Sequence, residues 1–267
     1  IPEYFDEEFR RNVSRGFSIE DFYSAVCRYN KDSRFWTIFD RETGNKIRGS
    51  FFPPEIYGQE LLCDRPELAD VKITNHCNFN CDFCYQNSSP RGRHAKTETV
   101  FRAIDALAEL EVFEIAIGGG DPVDHPDFNK IVSYARDKGI IPNFSTRNLD
   151  FILSPAFPEI AELVGSIGYT ITSLADLDKL ENTINTVDRF SYRTSLFKVH
   201  IVENSLEIGD LMEVAKFCQI NHLPIIFLGA KHIGRGNALK NRPWPNSFIE
   251  DLPRGQYEID TQMASTS

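Results

Sequence analysis

Three cysteines within eight residues are the part of this chain best equipped for chemistry. Cys77, Cys81 and Cys84 stand in "TNHCNFNCDFCYQNSS" with the spacing C-x3-C-x2-C. Thiolates are soft anionic ligands suited to zinc and to iron–sulfur clusters. A closed structural zinc site needs four ligands in a tetrahedron, and His76 or the upstream Cys63 could complete one. An iron–sulfur cube also has four metal corners, commonly held by four cysteines. Three thiolates on one tight loop would hold three irons and leave the fourth open, as a catalytic zinc keeps an open position. The other cysteines read differently. Cys218 lies on an apolar helical face and reads as core, and Cys27 reads as packed within an amphipathic helix.

Such a loop needs elements to position it. "DVKIT" (70–74) reads as a strand directly before the cysteines. Val100, Phe101, Ile104, Leu107 and Ala108 then mark one face of a helix. "FEIAIGG" reads as a strand ending in glycines, and "DFNKIVSYARDKG" as a helix stopped by Gly139. The alternation continues through strand "IIPNFST", helix "PAFPEIAELVG", strand "SIGYTITS", helix "ADLDKLENTINTVDRF" and strand "SLFKVHIV". Ile208, Leu211, Met212, Ala215 and Cys218 form a helical stripe with Asn221 as its C-cap, before strand "LPIIFLGA". Strands alternating with single helices imply a parallel sheet with right-handed crossovers. Six such units fall short of a full eight-unit barrel, so the expected fold is α/β, a partial, open (βα)6 barrel of the TIM type.

Upstream, Ser18-Ile19-Glu20-Asp21 reads as a capping box opening a helix, with Phe22, Val26 and Tyr29 on one face. "RFWTIF" and "KIRGSFF", separated by Asp40 to Asn45, read as a β-hairpin. The expected division is a helix-and-hairpin appendage over 1–66, the barrel over 67–236 and an extension over 237–267. "GQYEID" in that extension is expected to add a strand below the barrel.

The chain has 267 residues, 41% hydrophobic and 25% charged, as in an ordinary soluble globular protein. Its formal charge of −10 argues against broad nucleic-acid binding. No apolar run approaches the ~18 residues of a membrane helix, and Ile1 to Arg11 is no secretory signal. A cytoplasmic location is therefore expected, with thiolate ligation favoured over disulfides.

The cysteine spacing, with Phe83 as the aromatic before Cys84, resembles the signature of the radical S-adenosylmethionine (radical SAM) superfamily. Other positions match it in order from about Asp70 to Gly236. "GGGDP" (118–122) stands where that family has Gly-Gly-Glu-Pro, with Asp121 in place of the Glu. The resemblance implies that the backbone of Gly118, Gly119 and Gly120 meets the methionine ammonium of SAM. Ser145, Thr146 and Asn148 are placed like polar residues near the methionyl group, and Ser173 like a ribose contact. Val202 and Asn204 are placed to flank the adenine or ribose, and Gly234 and Arg235 resemble a turn closing over the adenosyl end. The implied cofactors are a 4Fe–4S cluster on Cys77, Cys81 and Cys84, with SAM on the open iron. The implied activity is reductive cleavage of SAM to a 5′-deoxyadenosyl radical that abstracts hydrogen from a substrate. Phe79 and Phe83 would shield the cluster.

The remaining polar residues admit plainer readings. His125, before Pro126, reads as a residue at the start of a helix rather than a base. His200 alternates within a strand and faces either the barrel or the helices. Tyr85 gates radicals or packs as a lid. Arg91, Arg93, His94 and Lys96 form a solvated loop or a clamp for an acidic substrate or leader peptide. The loop "CYQNSSPRGRHA" resembles compact members that modify ribosomally made peptides. A peptide substrate or leader-binding partner is therefore expected, touching the hairpin and the basic segment. A flavodoxin or ferredoxin is the expected electron donor. A small-molecule or nucleotide substrate, and a non-catalytic zinc module, stand as alternatives.

Overall fold

The structure is a computed structural model that describes residues 25–41, 44, 46–49, 63–188, 196–238, 252 and 257–259. Strands β1 (Ala25–Asn30), β2 (Phe35–Asp40) and β3 (Lys46–Gly49) form an antiparallel meander. The main sheet holds β4 (Leu68–Thr74), β5 (Glu114–Gly119), β6 (Ile141–Thr146), β7 (Ile167–Thr170), β8 (Phe197–Val202), β9 (Ile225–Leu228) and β10 (Tyr257–Ile259). All its strands are parallel and neighbours follow chain order, from β4 at one end to β10 at the other. Between them run α1 (Thr97–Glu109), α2 (Phe128–Asp137), α3 (Leu149–Ile152), α4 (Phe157–Leu163), α5 (Ala175–Asp188) and α6 (Ile208–Ile220). This is the expected open partial barrel. The short α3 is additional, and β10 lies beside β9 as a seventh strand rather than beneath the barrel.

Strand alternation sorts residues between helices and lumen. In β8, Phe197, Val199 and Ile201 are buried in the core shared with the helices, while Lys198, His200 and Val202 point to the other face and are only partly covered. The helices answer with matching stripes: Val100 and Ile104 of α1, Ile131, Val132 and Ala135 of α2, and Leu211, Val214, Ala215 and Cys218 of α6. Cys218 is core as its helical position implied, and burial pushes its thiol up to about 12. Gly139 takes the left-handed conformation (φ 75°) just past α2, which stops that helix. The edge of β4 is not left bare, because residues after the cysteine loop return antiparallel along it. Thr74 bridges His94, and Ala95 N–H donates to Ile73 O at 2.8 Å.

One local expectation fails. Val26, Cys27 and Tyr29 are in strand β1, not on a helix, and the capping box and Phe22 lie outside the described residues. The cause is tertiary pairing. Val26 sits opposite Phe39 and Tyr29 opposite Trp36, with the Tyr29 and Trp36 rings 4.6 Å apart. Apolar residues three apart fit a helix face, but a partner strand of aromatic and β-branched residues outweighs that weak local preference. Burial raises the pKa of the Cys27 thiol in this strand.

The meander packs at the amino ends of the barrel strands. Phe39 stacks on Phe113 (4.8 Å between rings), with Ile141 completing the contact. Glu67, just before β4, is buried and accepts from Thr37 Oγ1 at 2.6 Å and from Arg48, with Lys46 Nζ 3.5 Å away. Burial alone would raise the pKa of this carboxyl, but hydrogen bonds from Thr37, Arg48 and Cys63 outweigh it and leave it lowered. The meander is thus at the opposite end of the sheet from the cysteines.

His200 faces the lumen. Its Nδ1 is 3.4 Å from Ser145 Oγ, and a Cβ on Gly168 would meet the ring at 2.1 Å, so that glycine makes room for it. Burial, then the charge of Lys198, lowers the imidazole from 6.5 to about 4. The folded protein therefore keeps it neutral. Stability is full above pH 6.5 and is lost as pH falls through about 4, because the unfolded chain binds the proton first. Urea unfolding at pH 7 and pH 4.5 should show a smaller acid loss in His200→Gln than in wild type; equal losses would mean the ring is already charged in the fold.

Candidate cofactor site

The cysteine loop is a lobe with a hydrogen-bonded stem. Asn75 N–H donates to Arg93 O (2.9 Å), Ser89 N–H to Asn75 O (3.2 Å) and Cys77 N–H to Ser89 O (3.1 Å). The stem is tight enough that a Cβ on Gly92 would lie 1.9 Å from Asn75 O. Within the lobe, Cys84 N–H donates to Cys81 O and Asn87 N–H to Cys84 O, both at 3.2 Å, forming successive turns. The Cys77 thiol lies within electrostatic reach of Cys81 and Cys84, while among the described residues no three His, Cys, Asp or Glu side chains are grouped as a metal site. Cys77 is 8% exposed, its thiol donates to Phe79 O at 3.4 Å, and burial pushes it up to about 11.

The far end of the barrel grips this lobe. After β9, a short 3-10 turn (Gly234–Ala238) carries Arg235. Its backbone N–H donates to Cys84 O (3.0 Å), its Nε to Cys81 O (2.9 Å), and its Nη1 to Ser88 O (2.8 Å) and Asn87 Oδ1 (3.3 Å). Gly234 has φ 59°, and a Cβ there would lie 2.5 Å from Tyr85 O. The pair expected over the adenosyl end is therefore seen holding the cysteine lobe. Tyr85 itself is 43% exposed, with Lys231 Nζ 4.4 Å from its ring centre.

At the end of β5 the three glycines differ. A Cβ on Gly118 would meet nothing within 4 Å, so this position borders open space. Gly119 has φ 142° and a Cβ there would lie 2.2 Å from Thr74 O; on Gly120 it would lie 1.8 Å from His76 O. These two glycines let β5 lie against the root of the lobe. Asp121 is 2% exposed and turned inward. It accepts from Thr146 Oγ1 at 2.7 and 2.8 Å and from Arg147 N–H at 3.0 Å, and burial pushes it up to about 6. Thr146 Oγ1 in turn accepts from Asn148 N–H (2.9 Å), and Asn148 Oδ1 caps α3 by accepting from Phe151 N–H (3.2 Å). Asp121, Thr146 and Asn148 thus knit the carboxyl ends of β5 and β6 together.

Ser173 is exposed and lies in the turn opening α5, its N–H donating to Asp176 Oδ2 at 3.2 Å. Val202 ends β8 on the lumen side. Asn204 follows in the left-handed conformation (φ 65°). Its Oδ1, like Ser205 Oγ, is buried without a partner among the described residues. Phe83 is half-buried within the lobe, beside Gly236.

The alternative metal ligands are placed otherwise. His76 Nδ1 is 3.1 Å from Asp124 Oδ2, and His94 lies 5.3 Å, ring to ring, from both His76 and His125. His125 Nε2 donates to Ala95 O (2.9 Å) and its Nδ1 accepts from Asp127 N–H (3.1 Å), so it serves the start of α2 as expected. Cys63 interacts with Glu67, at the amino end of β4, roughly 20 Å of strand away from Cys77.

Sequence reasoning named Ser145, Thr146 and Asn148 and passed over Arg147 between them. Its Nη1 donates to Cys81 Sγ at 3.3 Å and its Nη2 to Thr172 Oγ1 at 2.7 Å and to the Asp176 carboxylate at 3.2 and 3.3 Å. Its only sequence signal was a cation at the carboxyl end of a barrel strand, where ligands gather.

The donor types suit a thiolate-bound cluster with an added small molecule. Three thiols share one lobe, open space adjoins Gly118, and buried orphan oxygens sit on Asn204 and Ser205. Fold and loop together define an open partial barrel with three cysteines after its first parallel strand. A family model described as the radical SAM superfamily matches residues 71–211, and the chain belongs to that superfamily. It is similar to the PqqA peptide cyclase of Ruegeria pomeroyi (30% identical over 128 residues, 44% of this chain and 33% of the relative). It is also similar to the mycofactocin maturase MftC of Mycolicibacterium smegmatis (29% over 127 residues, 47% and 31%). These alignments span about a third of the relatives' length. Among solved structures, Streptococcus suis SuiB bound to its precursor peptide SuiA superimposes with a TM-score of 0.66 at 12% identity, covering 89% of this chain and 71% of SuiB.

The glycines give a stability test. Gly119→Ala should cost about 1–3 kcal/mol, since it adds backbone strain and a clash with Thr74 O. Gly118→Ala should unfold in urea at or slightly above the wild-type midpoint, because its Cβ meets nothing. Equal midpoints for the two variants would refute the close packing of β5 on the lobe.

Proposed function

We propose that this chain is a radical SAM enzyme in which Cys77, Cys81 and Cys84 hold a 4Fe–4S cluster. With S-adenosylmethionine bound, the cluster supplies reductive cleavage of that cofactor and removal of a hydrogen atom from a substrate, here a ribosomally made peptide. The observation that carries this reading is the thiol lobe, closed by Arg235 at the carboxyl end of the first barrel strand in a chain of this family.

The chain's own residues have definable tasks in this reading. Arg235 fixes the backbone of the lobe, and the three sulfurs would draw together when metal binds, since they are not grouped as a metal site among the described residues. Gly118 leaves room for SAM, and the Gly118 to Asp121 backbone faces its ammonium group. Asn204, Ser205, Val202 and Ser173 line the ends of β7 and β8, where the orphan oxygens can accept from ribose hydroxyls or the adenine amine. Asp121 and Thr146 act from beneath, holding the turn. Phe79 and Phe83 keep water from the sulfurs, and burial of that kind tunes a cluster's potential. The zinc alternative is weakened by Cys63 lying at the wrong end of β4 and by His76 being engaged with Asp124. The proposed division of the chain is 1–66, 67–236 and 237–267.

Two features support a peptide. The relatives' names include a peptide cyclase and a precursor-peptide complex. The sheet is also open between β4 and β10, and Leu68, Asp70 and Lys72 are exposed along the lumen side of β4. Arg91, Arg93 and Lys96 are exposed in the segment that returns along the carboxyl end of this strand's edge, and the meander lies at its other end. A peptide touching both would run along β4 for roughly 20 Å. An electron donor such as a flavodoxin or ferredoxin completes the proposal.

Protein purified without oxygen should carry one cluster, measured as four irons and four sulfides per chain. Cys77→Ala, Cys81→Ala and Cys84→Ala should each lose most of it, while Cys27→Ala, Cys63→Ala and Cys218→Ala should retain it. The reduced protein should convert SAM to 5′-deoxyadenosine and methionine. Full iron retention in Cys81→Ala, or S-adenosylhomocysteine as the sole product, would reject the assignment. With a precursor peptide as substrate, neutralising Arg91, Arg93 and Lys96 together should raise KM and flatten its salt dependence. An unchanged KM at low and high salt would make the segment a solvated loop.

A further inference from the structure

Arg147 is anchored at both ends of its guanidinium. On one side, Nη2 meets Thr172 Oγ1 and the Asp176 carboxylate. Asp176 is 5% exposed and is itself held, because Thr172 N–H (2.8 Å), Thr172 Oγ1 (2.8 Å) and Ser173 N–H (3.2 Å) all donate to its Oδ2. On the other side, Nη1 donates to Cys81 Sγ at 3.3 Å. The guanidinium carbon stands 5.1 Å from the centre of the Phe79 ring, within the cysteine lobe. Nε is buried with no partner among the described residues. A planar fork spans a carboxylate and a sulfur at once; an ammonium has no such geometry.

The charge has a direction of effect. A hydrogen bond to a cluster sulfur, and a cation beside it, both stabilise the more negative reduced state. Asp176 offsets part of that field but lies on the far side of the guanidinium from the sulfur. We propose that Arg147 is a positioning residue that fixes Cys81 and raises the reduction potential of the cluster, easing its loading with an electron. The proposal rests on the cluster reading given under Proposed function.

The test is a redox titration of reconstituted protein, followed by electron paramagnetic resonance, with iron measured in parallel. In Arg147→Gln the ratio of reduced to oxidised cluster at fixed poise should fall at least tenfold. That corresponds to a midpoint lower by about 59 mV or more for one electron. Arg147→Lys, which keeps the charge and loses the fork, should recover part of the shift. A purely structural role predicts lower iron content with an unchanged potential in the loaded fraction, and that result overturns the proposal. If Arg147→Gln retains no cluster, Asp176→Asn decides. Removing the counter-charge should move the ratio the other way, and an unmoved potential in that variant overturns the proposal. Wild-type protein that takes up no cluster defeats the cluster reading instead, so the two failures are distinguishable.

Discussion

The site depends on one set of hydrogen bonds, those from Arg235 to the carbonyls of Cys81, Cys84 and Ser88. The cysteine lobe has no helix or strand of its own to hold three soft ligands in place. Its stem is tied to the edge of β4, but its tip reaches beyond the sheet. Arg235 comes from the last β–α unit and the lobe from the first, so this contact also links the two ends of an open barrel. The two bonds from the guanidinium, to Cys81 O and Ser88 O, have a charged donor and are worth roughly 1.5–3 kcal/mol each. A few such bonds suffice to hold a loop whose backbone would otherwise sample many shapes. The close approach of Gly234 to Tyr85 O leaves no room for a side chain there.

A second layer of order lies beneath the lobe. Asp121 is a buried carboxyl with donors from Thr146 and Arg147, and Thr146 passes the order on to Asn148 and the start of α3. These residues do not reach into the open space beside Gly118. They hold the turns whose backbones border it. Polar residues at the carboxyl ends of these two strands thus spend their hydrogen bonds on the neighbouring turns.

Those partnerships explain what the sequence could and could not show. The order of strands and helices from Asp70 onward was legible because each element carries its own periodicity and stop signal, as at Gly139. The thiol lobe was legible from spacing alone. The inward turn of Asp121 was not, because the choice between a ligand and Thr146 depends on the distance between β5 and β6. The partners of Arg147 were hidden for the same reason, since Cys81, Thr172 and Asp176 are far apart in the chain. Residues 25–30 misled because a six-residue segment with apolar positions three apart suits a helix or a paired strand, and only β2 decides. Arg235's bonds to the lobe were not legible either, since nothing in its flanking glycines shows that its guanidinium reaches Cys81 and Ser88.

The central claim is that three thiols leave one iron open to SAM. The most direct measurement is the electron paramagnetic resonance spectrum of the reduced protein before and after adding SAM labelled with nitrogen-15 at its amine. The account predicts a 4Fe–4S signal whose g-values change on addition, with hyperfine coupling to the labelled nitrogen. A signal unchanged by SAM, or zinc in place of iron, would contradict it.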